Sequence, residues 1–124
     1  MIYLASPYSH TDPAIRMQRF HDVCRAAVAL ILLGQKVYSP IAHSHALIEH
    51  GLPVDWSFWE RHDRHHLAHC DEVLVLMLDG WEASIGVREE VRMAKELNKP
   101  VRYLAPELAN LSPAMAHVAP EAAT

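Results

Sequence analysis

The sequence predicts an α/β protein: a single-domain, three-layer sandwich around a mostly parallel, flavodoxin- or Rossmann-like sheet of four to five strands. Three observations carry this. Short apolar runs alternate with stretches of helical periodicity along the chain, the pattern of a sheet covered by helices. One run, "EVLVLMLD" at 72–79, is almost unbroken in its apolarity, as a parallel strand buried on both faces must be. Residues that start and stop helices punctuate the rest.

Each element follows in order. "MIYLAS" reads as strand one, and "SPYSHTDP" as the turn after it. Asp12 and Pro13 then supply an N-cap and a proline at the first helical position, where its missing N–H is not needed. From Phe20 through Val23, Ala27, Leu30 and Ile31 the apolar residues recur at three and four, and Gly34 closes the helix. "KVYS" is a second strand. The stretch 40–54 has no clear period, whereas 55–70 has helical spacing with Asp55 as its cap and Trp56, Trp59, Asp63, Leu67 and Cys70 on one stripe. The run at 72–79 is the central strand. After the Asp79-Gly80 turn comes a helix from about Ser84 to Asn98, and "KPVRYLA" gives a fourth strand. The whole chain, 1–124, reads as one domain with a loose tail at 119–124.

Composition narrows the function classes. The chain has 124 residues, 51% of them hydrophobic and 21% charged, enough for one core. A net charge of -4 excludes a general nucleic-acid binder, which needs a basic stripe to neutralise phosphates, but admits a small ligand. Cys24 and Cys70 form no C-x-x-C pair, so a disulfide framework and a cysteine zinc site are not expected. No export segment and no apolar stretch of spanning length is evident. The expectation is a cytoplasmic protein without membrane contact.

Three features bear on chemistry. On a helical wheel Val87, Val91, Ala94 and Leu97 face the sheet, while Arg88, Glu89, Arg92, Lys95 and Glu96 face water. Glu90 falls between Ala94 and Leu97, on the inward side and close to Gly86, whose missing side chain leaves room for a ligand. It is either a border carboxylate favoured by the helix dipole or a placed nucleophile or base. Asp63 sits in an apolar row and needs a partner, with Arg61, Arg64 or a backbone amide as structural candidates. Asp71 is expected to cap the connection into the central strand. Finally, His62, His65, His66 and His69 share a helix face, and His43 and His45 follow strand two. His62 and His66 lack the H-E-x-x-H form and no third ligand is specified, so no metal is expected. The helix histidines read as a solvated or subunit-contacting face, His43 and His45 as pocket-lining.

Several of these stretches together resemble a known family. "IYLASP" at the start, Asp63 ahead of "CDEVLVLMLDGW", and "SxGVxxE" opening a helix that ends in "NKPV" resemble the nucleoside 2-deoxyribosyltransferase superfamily, which includes deoxynucleoside 5'-monophosphate N-glycosidases. "SPIAHSH" and "DWSFWERHDRHHLAHCDE" resemble a small bacterial branch of it. The resemblance covers about residues 1–104.

It implies that a glutamate attacks the anomeric carbon of a nucleoside, releases the base, and leaves a glycosyl-enzyme for water or a second base. Glu90 matches that nucleophile, Asp63 the aspartate that assists proton movement at the base, and Tyr3 a tyrosine beside the nucleophile. Ser84 matches a position that is aspartate in the nucleoside transferases and serine in the monophosphate hydrolases, which favours a nucleotide. Gly86 precedes the nucleophile by four. The hydrolases carry a serine and an arginine after strand one where this chain reads "PYS", so Ser6, Ser9, His10 and Arg16 are the candidates for that role. Ser112 resembles a serine that the neighbouring subunit supplies to the phosphate, which implies a homodimer or higher homo-oligomer. No cofactor is implied. Alternatives are a nucleotide-binding or sensing module without turnover and, third, a histidine-based metal-binding protein.

Overall fold

Alternation along one short strand sorts the layers. In a computed structural model of the chain, which describes residues 1–110, β1 (Ile2–Ala5) is fully buried. Ile2 and Leu4 point to one face, where they pack with Val23, Ala26 and Leu30 of α1 (Pro13–Leu32). Tyr3 and Ala5 point to the other, toward Leu67 of α3 (Trp56–Ala68) and Val87, Met93 and Ala94 of α4 (Ile85–Glu96). The period of two in a strand thus places Tyr3 under the two helices that carry the acidic candidates.

The remaining strands are β2 (Val37–Tyr38), β3 (Glu72–Leu76) and β4 (Val101–Leu104). All pairings are parallel, in the order β2-β1-β3-β4, with Tyr3 opposite Val73 and Ala5 opposite Val75. The α/β sandwich and its parallel sheet are as the sequence predicts. β3 lies between β1 and β4, and its residues Val73 to Leu76 are buried, which accounts for its unbroken apolar run.

Local chemistry sets the helix ends. Asp12 accepts from the Ala14 N–H at 2.9 Å and Pro13 opens α1. Lys99 closes α3 from a distance, its Nζ donating to the carbonyls of Ala68 and Cys70 at 2.9 and 2.6 Å. Among the described residues, no helix is long and apolar enough to cross a membrane.

Four expectations need correction. The stretch read as irregular forms a helix, α2 (Pro40–Glu49), started by Ser39, whose hydroxyl accepts from the Ala42 N–H, and by Pro40. Its faces are too mixed for periodicity to show. In α1 the buried stripe is Val23, Ala26, Ala29 and Leu30, and Ile31 is 54% exposed because it stands about a quarter turn beyond that stripe. The central strand ends at Leu76 rather than Asp79, since the chain turns there and Leu78 N–H bonds back to the Leu76 carbonyl. In α4, Met93 replaces Val91 and Leu97 as the fully buried partner of Val87 and Ala94.

Gly80 connects β3 to the site. Its φ of +85° suits glycine, and a Cβ there would meet Arg19 Nη2 at 2.7 Å. Arg19 donates to the carbonyls of Ser9 and Asp79, so it joins the loops after β1 and β3. Gly80→Ala is expected to destabilise the protein by about 1–2 kcal/mol in urea denaturation. An unchanged midpoint would show that the turn is not constrained in this way.

Candidate active site

In a parallel sheet the chain leaves neighbouring strands in opposite directions at one place, and a crevice opens there. Here it lies beyond the carboxyl ends of β1 and β3, where a cavity of about 340 Å³ is found. Its walls come from the loop after β1, from α2, and from the starts of α3 and α4.

Glu90 lines this cavity and is 4% exposed. It stands three residues after Val87 and three before Met93, so it belongs to the stripe that α4 buries. The Tyr3 hydroxyl, itself fully buried, donates to Glu90 Oε2. Burial pushes the Glu90 carboxyl well above its ordinary range; the Tyr3 hydrogen bond opposes this and the Asp63 charge adds to it. The Tyr3 phenol is raised for the same reasons, first by burial and then by Glu90 and Asp63. Glu89 behaves as its wheel position predicts: it pairs with Arg92 at 2.6 Å on the outer surface.

Asp63 also lines the cavity and is 6% exposed. None of the expected partners meets it. Arg64 turns to Glu96 at 3.4 Å, Arg61 is exposed, and the nearest polar contact is His62 Nδ1 at 3.5 Å from Asp63 Oδ1. Burial pushes Asp63 up to about 6, against the hydrogen bond and charge of His62. Two carboxyl groups with raised pKa values therefore border one cavity, the arrangement in which one proton is shared or divided between them.

The hydroxyl groups are nearby. Ser84 caps α4 by accepting from the Val87 N–H at 3.2 Å, which leaves its own proton free to donate. Ser6, Ser9 and Gly86 also line the cavity, and the buried Ser6 Oγ has no partner among the described residues. A methyl on Gly86 would lie 3.7 Å from Trp56 and reduce the space without a clash.

His43 and His45 do not line the cavity. Because α2 is a helix, positions two apart face nearly opposite ways. His45 turns in, stacked on Phe20 at 4.0 Å and bonded to the Tyr8 hydroxyl at 2.7 Å; His43 turns out against His62 of α3, with ring centroids 5.5 Å apart. Ile41, Ser44 and Ile48 take the cavity side instead. His10 and Arg16 are also elsewhere: Arg16 donates to the His10 carbonyl, and His10 accepts from the Asp12 N–H. Ser112 and the tail at 119–124 lie outside the described residues.

Sequence reasoning missed Tyr8, Ser44, Asp55 and Ile85 as lining residues. Asp55 occupies the cap position of α3, but its side chain accepts from the Ser57 hydroxyl rather than a backbone amide. Ser39-Pro40 is a helix-start signal and would have placed Ile41, Ser44 and Ile48 on one face. Trp56, Trp59 and Val54 complete an apolar wall. Among the described residues, no Lys, Arg or His lines the cavity, and no group of three His, Cys, Asp or Glu side chains converges as a metal would require.

A raised carboxyl pKa has a definite sign for stability. The folded state favours the neutral acid, so the cost of the charge is absent below the unfolded value, 3.8 for Asp63, and grows to its full size above about 6. Asp63→Asn is therefore expected to stabilise the fold by about 1–3 kcal/mol at pH 7.5 and by much less at pH 4. Glu90→Gln should act in the same direction. Denaturation curves at the two pH values check this, and equal effects at both would contradict it.

No curated protein matches this sequence. Over residues 1–105, which include every cavity residue just named, it matches the family described as "Domain of unknown function (DUF1937)", and the chain belongs to that family.

Proposed function

We propose that this chain cleaves or exchanges the N-glycosidic bond of a nucleoside or nucleoside 5'-monophosphate, with Glu90 as nucleophile. The observation that carries the reading is the buried Glu90 carboxylate, held by the Tyr3 hydroxyl, at a cavity that also contains the buried carboxyl of Asp63. Charge developing at an anomeric carbon is positive, and a carboxylate in an apolar, water-poor site stabilises it more strongly than one in water.

In the first step Glu90 bonds to the anomeric carbon as the bond to the base breaks, and protonated Asp63 gives its proton to the departing base. Water, or a second base, then attacks the same carbon; its proton passes to Asp63 and Glu90 leaves as carboxylate. Tyr3 holds Glu90 in orientation throughout. The wall of Trp56 and Trp59 suits a planar base, while Ser6, Ser9 and Ser84 suit a sugar or phosphate oxygen at the start of α4. A phosphate there would be held by hydroxyl and amide donors rather than by cations. Each step uses only this chain's side chains and the two substrates.

A cytoplasmic location and a homo-oligomeric working unit belong to the same proposal. The free thiols of Cys24 and Cys70 accord with a reducing compartment.

The direct test is incubation with a panel of ribo- and deoxynucleosides and their 5'-monophosphates, with free base read by chromatography. Glu90→Ala is expected to lower base release by more than about a thousandfold, and Glu89→Ala to leave it within about twofold. Binding of a nucleotide with no base released from any member of the panel would instead identify a nucleotide-binding module.

The substrate's 5' end has its own test. Ser84→Asp is expected to lower kcat/KM for monophosphates more than for nucleosides, because it sets a carboxylate against phosphate. The opposite order would remove the case for phosphate at this position.

A further inference from the structure

Asp63 is the proton donor of the proposed reaction, and the side chains around it decide which oxygen carries its proton and how that proton equilibrates with solvent. It lines the cavity and is 6% exposed. From β1 and β2 the phenols of Tyr3 and Tyr38 face it, and from α4 comes Glu90. Both phenols are raised well above their ordinary value, chiefly by burial, and Glu90 is already bonded to Tyr3. None of these exchanges protons with solvent easily.

His62 does reach solvent. Its side chain is 39% exposed, whereas that of Asp63 is 8%, and its Nδ1 lies 3.5 Å from Asp63 Oδ1. Adjacent positions on a helix do not usually bring side chains together, so this contact depends on how the His62 ring is held. Three neighbours hold it. His43 from α2 lies parallel to it, 5.5 Å away and 4° from coplanar orientation; Trp59 meets it edge-on at 5.4 Å; His66 flanks it at 4.8 Å.

We propose that His62 is the positioning residue for Asp63, occupying its Oδ1 and connecting its carboxyl group to solvent, with His43 fixing the plane of the imidazole. The inference rests on the reading of Asp63 as proton donor to the leaving base, but the His62–Asp63 coupling itself does not require turnover. With Nδ1–H directed at Oδ1, the transferable proton is confined to Oδ2. When Asp63 is found ionised, a protonated His62 gives its Nδ1 proton to the carboxylate and is left as the neutral Nε2–H imidazole; turning the ring exposes the bare Nδ1 to solvent, where it takes a proton from hydronium or a buffer acid and the donor is restored.

Other charges around the pair bear on its pH response. His66, His43, His65 and His69 cluster on this side, and His66 is held below its ordinary value, first by burial and then by the charges of His62, His65, His43 and His69. His66 therefore resists taking a positive charge beside these neighbours.

The test reads Asp63 directly, by carbon-13 NMR of protein labelled at the aspartate carboxyl carbon, with the resonance assigned by its absence in Asp63→Asn. His62→Phe keeps a flat ring against His43 but has no donor. The midpoint of Asp63 is expected to rise by about one pH unit in this variant. His62→Asn places an amide donor near the position of Nδ1 and should restore most of the shift; His43→Ala should reproduce part of it. If base release is present, the alkaline limb of its pH profile should move up in parallel, with KM little changed. An unchanged midpoint in His62→Phe overturns the inference whether or not base is released. A shifted midpoint in a protein that releases no base supports the coupling while removing the glycosidase reading.

Discussion

The hydrogen bond from Tyr3 to Glu90 ties the sheet to the helix that carries the reactive candidate. Its existence requires that β1 turn Tyr3 toward α3 and α4, that α4 start at the right residue to turn Glu90 inward, and that the helix lie close enough for a phenol to span the gap. A slip of one residue in β1 would send Tyr3 to the α1 face. A shift of one residue at the start of α4 would replace Glu90 with Glu89 or Val91. Neither end can relax independently, because Tyr3 and the residues one turn either side of Glu90, Val87 and Met93, belong to one buried cluster with Val73 and Val75.

The start of α4 is fixed by a short series of contacts rather than by helix propensity alone. Gly80 lets the chain turn after β3, the 3-10 turn Trp81–Ala83 follows, and Ser84 caps the helix. Arg19 holds the first of these against the loop after β1. The same loops supply Ser6, Ser9 and Ser84 to the cavity, so the contacts that orient Glu90 also set the distance between hydroxyl groups and carboxylate. This coupling of support and lining is expected of a site built at the carboxyl ends of parallel strands.

Much of this was legible in the sequence because burial imposes period. The unbroken apolarity of β3 and the three-four spacing of α3 and α4 announced the layers, and the wheel separated Glu90 from Glu89 without reference to any relative. An aspartate in the row Trp59, Asp63, Leu67 was visible for the same reason. What failed was local. α2 has histidines, serines and apolar residues on every side, so its existence had to be read from the Ser39-Pro40 start, and without it His43 was assigned to a cavity that Ser44 lines. Partner choice was also hidden: Arg61 and Arg64 are nearer in charge logic to Asp63 than His62 is, yet long side chains on an exposed face are drawn to water and to Glu96. Ser112 and the tail at 119–124 fall outside the described residues.

The two raised carboxyl groups explain why such a site is tolerable and what it is suited to. Both are costly when charged, since each is desolvated, and the Asp63 charge adds to the cost at Glu90. A neutral substrate brings no relief. A substrate acquiring positive charge at one carbon does, and the relief is largest for the carboxylate that faces it; the proposed reaction accordingly places the one proton of the pair on Asp63 and the charge on Glu90. In the proposed reaction the proton donor and the nucleophile are distinguished by which of the two carboxyl groups the reacting carbon approaches. The differential stabilisation then comes from the Glu90 carboxylate, whose charge is poorly solvated in its buried position and is met by the positive carbon in the transition state.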